Sequence, residues 1–112
     1  MADPKRTTCV PLRKPIAATL LDRRSGARLR ITIVALAAEA MRFTAGRSLP
    51  PGSMWTAVVR RAQPLAIPVT LRWSRAFERE TFECDAAVGT LESGERRRFE
   101  ALLPNAVAPE RA

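Results

Sequence analysis

Residues 69–103, VTLRWSRAFERETFECDAAVGTLESGERRRFEALL, hold β-type segments, a charged connection and the chain's one good helix signal, in that order. Ile67 to Trp73 (IPVTLRW) reads as a strand that starts near Pro68 or lies at an edge, because proline has no N–H for the ladder. Ser74 to Glu80 is charged and reads as a solvent-exposed hairpin connection, and Thr81 to Val88 as the returning strand. The helix spans Gly94 to Leu103: Ser93 is placed to cap it, Glu95 suits its positive end, and Pro104-Asn105 stops it. Phe99, Leu102 and Leu103 share one face, while Arg96, Arg97 and Arg98 lie mainly elsewhere. So short a helix does not persist alone, so that face must pack on a sheet.

Upstream, the same pattern of short strands and turns repeats. Ile16 to Leu21 (IAATLL) is followed by the polar, glycine-bearing loop 22–27, and then by Arg28 to Leu36 (RLRITIVAL). That segment alternates Arg28, Arg30 and Thr32 with Leu29, Ile31 and Ile33, the period of a half-buried strand. Met41 to Thr44 is a short strand, LPPGS at 49–53 is a strong turn, and Met54 to Arg61 is a further strand. Many short strands followed by one helix predict a mainly β fold: a six-stranded antiparallel barrel with a C-terminal helical lid. Residues 1–8 read as a flexible basic arm, 9–103 as the barrel with its helix, and 104–112 as a flexible tail.

The 112-residue chain has room for one modest core. No run approaches the roughly 20 apolar residues of a membrane span, and Met1 to Thr8 leads into no apolar stretch of signal-peptide kind. A cytoplasmic location is the resulting expectation. Cys9 and Cys84 form no CxxC and read as separate thiols. The chain has neither histidine nor tyrosine, so it lacks the commonest general base and metal ligand. We therefore expect no enzyme, no metal and no cofactor. The net charge is +8, and residues 1–30 hold most of it: eight cations against Asp3 and Asp22 leave +6 there. That third favours an anionic partner. The literal R-x-x-x-R at Arg24–Arg28 falls in the first hairpin loop and reads as an exposed turn.

Four stretches together resemble a PilZ domain, a bacterial fold associated with cyclic di-GMP. They are KRTTCVPLRKPIAATL (5–20), VALAAEAMRF (34–43), LPPGSMWTAVV (49–59) and VTLRWSRAFERETFECDAAVGTLESGERRRFEALL (69–103), and they span roughly Lys5 to Leu103. The resemblance implies that an R-x-x-x-R pair on the arm grips the dinucleotide and that a D/N-x-S-x-x-G loop completes the site. Aligned through Val10-Pro11-Leu12, the two arginine positions fall on Lys5 and Cys9, with Arg6 and Arg13 nearby. Aligned through Met41-Arg42-Phe43, the acid or amide, the hydroxyl and the glycine fall on Ala35, Ala37 and Ala40. In plain structural terms Lys5 and Arg6 belong to a solvated arm, Cys9 is a small apolar filler, and the three alanines preserve a turn without ligand chemistry.

Charge-assisted hydrogen bonds contribute about 1.5–3 kcal/mol each, so losing one bidentate arginine and two loop contacts removes roughly 4–8 kcal/mol. A micromolar site has only about 8 kcal/mol in total. Binding of cyclic di-GMP in the family's usual mode should therefore be weak or absent. Three functions follow as expectations. The first is a non-enzymatic signalling adaptor linked to cyclic di-GMP or motility pathways and acting through protein partners. The second is a cyclic di-GMP receptor with a divergent site at Lys5, Arg6, Arg13 and Arg28. The third is a nucleic-acid-binding barrel, disfavoured by the few aromatic residues, so that no specific nucleic-acid partner is expected.

Overall fold

The computed structural model describes residues 9–103. Six strands and one helix follow in order: β1 (Val10–Asp22), β2 (Arg28–Ala37), β3 (Ala40–Ala45), β4 (Met54–Val59), β5 (Leu65–Glu78), β6 (Thr81–Val88) and α1 (Ser93–Glu100). All pairings are antiparallel, and the sheet closes in the order β1-β2-β3-β6-β5-β4. The sequence-based barrel is therefore the observed one. The proposed arm and tail lie outside the described residues.

Closure rests on β1, which pairs with β2 and also with β4 from Ala18↔Val59 to Asp22↔Trp55. Alternation then sends one side of each strand inward. Leu20, Ile33, Phe43, Ala57, Val59, Ile67, Leu71 and Cys84 are all buried in one apolar cluster. The first hairpin turns where expected: Gly26 has φ +79, its N–H donates to the Asp22 carbonyl, and the Arg24 N–H donates to Asp22 Oδ1 at 2.8 Å. Arg24 and Arg28 are exposed there. Gly52 (φ +85) forms the Pro-Pro-Gly turn.

Two strands are longer than the sequence suggests. β1 starts at Val10 rather than Ile16, because the register shift between Pro11 and Ile16 absorbs the irregular segment Leu12–Pro15 and lets pairing resume at Pro11↔Ala35. β5 continues through Ser74–Glu78, so only Arg79 and Glu80 form the turn, the latter at φ 52. The charges read as a loop signal are instead cross-strand partners: Arg75 faces Glu83 and bonds it at 2.7 Å. β4 ends at Val59, leaving Arg60 and Arg61 in the loop to β5. Pro68 lies within β5, opposite Thr56. Pairing with β6 begins one residue later, at Val69↔Val88, so the missing N–H falls where β6 has ended. Gly89 donates to the Pro68 carbonyl at 2.7 Å, and a Cβ at 89 would stand 3.3 Å from the proline ring.

The helix is also shorter than expected, and Ser93 does not cap it. Glu92 is the N-cap, without a side-chain bond, and its carbonyl accepts from the Arg96 N–H at 2.7 Å. After Glu100 the chain tightens into bonds from Leu102 to Phe99 and from Leu103 to Glu100, since a residue before proline avoids the helical region. Phe99 is fully buried, while Leu102 and Leu103 are half-buried against the core. The arginines of the outer face fasten the lid: Arg96 donates to the Ala38 carbonyl at 2.9 Å, and Arg98 to the carbonyls of Gln63 and Pro64 at 3.3 Å.

Truncating the buried ring with Phe99→Ala should cost about 3–5 kcal/mol, as for other core aromatics. Leu102→Ala, at a half-buried position, should cost clearly less. Urea unfolding followed by tryptophan fluorescence measures both.

Candidate functional site

Strand register assembles a row of neighbours across the barrel wall: Pro11 faces Ala35, Ala35 faces Arg42, Arg42 faces Asp85, and Asp85 faces Trp73. Met41 and Phe43 on β3, and Cys84 and Ala86 on β6, point into the core, so the intervening Arg42 and Asp85 point outward. On β5 the register shift between Leu71 and Trp73 brings Arg72 to the same place.

Asp85 is the one buried charged residue among those described, at 3% exposure despite its outward direction, because two guanidinium groups lie against it. Arg72 Nε donates to Oδ2 at 2.7 Å. Arg42 Nε stands 3.6 Å from Oδ1, within ion-pair range but too far for a hydrogen bond. Both of those atoms are buried without a hydrogen-bond partner. The half-buried Trp73 ring meets two cations, with the Arg42 guanidinium 5.2 Å and that of Arg75 4.9 Å from its centroid. Arg75 is in turn bound to Glu83. Three arginines and two acids thus share one patch with a net charge of about +1, and each cation is already engaged by an acid or a ring.

The residues singled out from sequence are divided among different places. Lys5 and Arg6 lie outside the described residues. Cys9 is half-buried at the head of β1 and within electrostatic reach of the patch: burial and the Asp85 carboxylate push its thiol pKa up, while Arg42 and Arg72 pull it down. Ala35 is buried in the row itself. Ala37 and Ala40 pair with each other and flank the β2–β3 turn, Ala40 fully buried and opposite Ala87. Among the described residues only Gly26, Gly52 and Glu80 have positive φ, so Ala40 carries its methyl without backbone strain. The turn's carbonyls are occupied by the fold: Ala38 accepts from Arg96, and Glu39 accepts from the Val88 N–H at 3.0 Å.

Arg13 lies apart from this row, in the irregular part of β1. It lines a groove of about 1130 Å³ bounded by that segment, the β4–β5 loop and the end of the helix. Sequence reading missed the Arg42–Asp85–Trp73 row. Its one local signal is Asp85, an acid in the otherwise apolar run CDAAV. Cys84 is buried, and desolvation pushes its thiol pKa up, opposed by its hydrogen bond to Ser74 Oγ at 3.5 Å. Among the described residues no group of three His, Cys, Asp or Glu side chains is arranged to hold a metal, and no helix is long and apolar enough to cross a membrane.

No protein-family model matches the sequence, and no curated protein matches it. Among solved structures, the barrel is similar to the Bacillus subtilis inhibitor of motility (MotI/DgrA), with a TM-score of 0.67 and 13% sequence identity. The match covers 92% of this chain and 50% of that one, so the chain spans about half the length of that structure. At this identity the likeness is one of fold.

The patch has an asymmetry that mutation exposes. Arg72→Ala strands a buried carboxylate with only the longer Arg42 contact and should cost about 3 kcal/mol. Asp85→Ala releases two arginines that already reach water and should cost about 1 kcal/mol. Chemical denaturation of the two variants checks the order. Both thiols should also alkylate more slowly with iodoacetamide at neutral pH than a free cysteine, since their raised pKa values deplete the thiolate.

Proposed function

We propose that this chain is a PilZ-like, non-enzymatic signalling domain that acts through protein–protein contacts in cyclic di-GMP-linked or motility-linked regulation. The observation that carries this reading is the chemistry of the outer row. Where the PilZ resemblance expects an arginine, an acid or amide, a hydroxyl and a glycine, the chain has Cys9, Ala35, Ala37 and Ala40. The guanidinium groups along the row, Arg42, Arg72 and Arg75, are engaged by Asp85, Glu83 and Trp73, and that of Arg96 at the β2–β3 turn by the Ala38 carbonyl. A dinucleotide would have to displace those contacts before it gained its own. The barrel's likeness to the motility inhibitor supports the placement in such regulation. A cytoplasmic setting and the absence of a required cofactor belong to the same proposal.

A divergent cyclic di-GMP receptor is the second reading. It is favoured by the half-buried Trp73 ring on the outer wall, flanked by the Arg42 and Arg75 guanidinium groups. Sequence-specific nucleic-acid binding has less support. Trp55, Phe43 and Phe99 are buried, and Phe77 is the only strongly exposed aromatic ring among the described residues, whereas single-strand binding needs several exposed rings.

Calorimetric titration of the wild type with cyclic di-GMP, beside an unrelated nucleotide, should show no saturable binding at low-micromolar concentrations. The combined substitutions Cys9→Arg, Ala35→Asp, Ala37→Ser and Ala40→Gly should create binding. Tight binding by the wild type that disappears in Trp73→Ala establishes the receptor reading instead.

A further inference from the structure

The groove at the lid end of the barrel differs in electrostatics from the outer row. Arg13 and Lys14 on the irregular segment of β1, Arg30 on β2, and Arg60 and Arg61 in the β4–β5 loop all line it. All five are exposed, no acidic residue lines the groove, and none of the five forms an ion pair among the described residues. Apart from Thr19 its remaining wall is apolar, with Leu12 and Ile16 on β1 and Leu102 and Leu103 beyond α1. We propose that this groove docks an extended, acidic peptide segment of a protein partner, with alternating carboxylate and aliphatic side chains.

Charge complementarity selects the acidic partner: five cations with no acidic partner among the described residues raise the local concentration of an anion and speed its association. The lining chemistry favours a peptide over a nucleotide, because among the described residues no aromatic side chain lines the groove and a base would find no ring to stack on. The groove's volume of about 1130 Å³ leaves room for such a segment. Geometry favours an extended segment. β1 runs past the end of β4, whose register with it begins only at Ala18↔Val59, so residues 10–17 of β1 have no β4 neighbour. A strand laid beside them continues the sheet, and its period of two directs carboxylates toward the arginines and aliphatic groups toward Leu102 and Leu103. This inference rests on the protein-contact reading above and deepens it by naming the surface and the partner's chemistry.

The test is fluorescence anisotropy of the full chain with a labelled synthetic peptide of about ten residues alternating glutamate and leucine, enough to span the irregular part of β1. Saturable binding is expected, at least tenfold weaker for Arg60→Glu/Arg61→Glu and, on the opposite wall, for Arg13→Glu/Lys14→Glu. Circular dichroism confirms that each variant keeps the barrel. A polyglutamate peptide of equal length should bind at least tenfold more weakly, because it has nothing for the aliphatic wall. No saturable binding, equal binding of polyglutamate, or indifference to both variant pairs overturns the proposal. Displacement of the peptide by cyclic di-GMP also overturns it and makes the groove a nucleotide site. If the peptide fails while cyclic di-GMP also fails to bind, only the groove assignment is lost. If cyclic di-GMP binds, is lost in Trp73→Ala and leaves peptide binding intact, the adaptor reading falls and the groove stands.

Discussion

Closure of the sheet through β1 is the constraint on which the rest of the molecule depends. Five residue pairs from Ala18↔Val59 to Asp22↔Trp55 join the first strand to the fourth, while the same strand holds β2 on its other side. An open sheet of this size would expose two edges and half of its apolar face. Closed, it has a single interior that contains Leu20, Phe43, Ile67 and Leu71, and one end that the Phe99 ring helps to seal. Closure also explains the irregularity of β1. The strand must pass from a segment paired on both sides to one beyond the reach of β4, and Leu12–Pro15 absorbs the change.

The outer wall divides its charge unequally. Around Trp73 the arginines and acids satisfy one another, and the buried Asp85 makes that arrangement part of the fold's stability. Around the groove the cations have no acidic neighbours in the lining. A net charge of +8 by itself says only that anions are favoured. Its distribution says where, and the better-opposed cations lie on the strands beside Ala35.

The fold likeness to the motility inhibitor and the chemistry of the wall bear on different questions. The likeness at 13% identity concerns the path of the chain. Function resides in side chains, and at Ala35, Ala37 and Ala40 those side chains are methyl groups, buried at 35 and 40 and half-buried at 37. A barrel tolerates such replacements because its stability comes from apolar packing rather than from polar groups on a turn.

The sequence determined the strand series, the first hairpin and the helix with Phe99 inward, because these rest on periods of two and 3.6 and on turn residues, all of them local. It also placed Arg24 and Arg28 in an exposed turn. Local reading failed where charge served pairing: Ser74–Glu78 looked like a loop until Glu83 came opposite Arg75. Only the tertiary structure decided that Arg42, Asp85 and Trp73 form one patch, and that Arg13 joins Arg30, Arg60 and Arg61 in a groove. Those residues come from separate strands and loops, and register shifts near Val34 and Arg72 change which way the chain faces. Composition and periodicity specify which side of a strand is apolar. Which polar residues meet on the other side is set by cross-strand register, and that exists only once the barrel has closed.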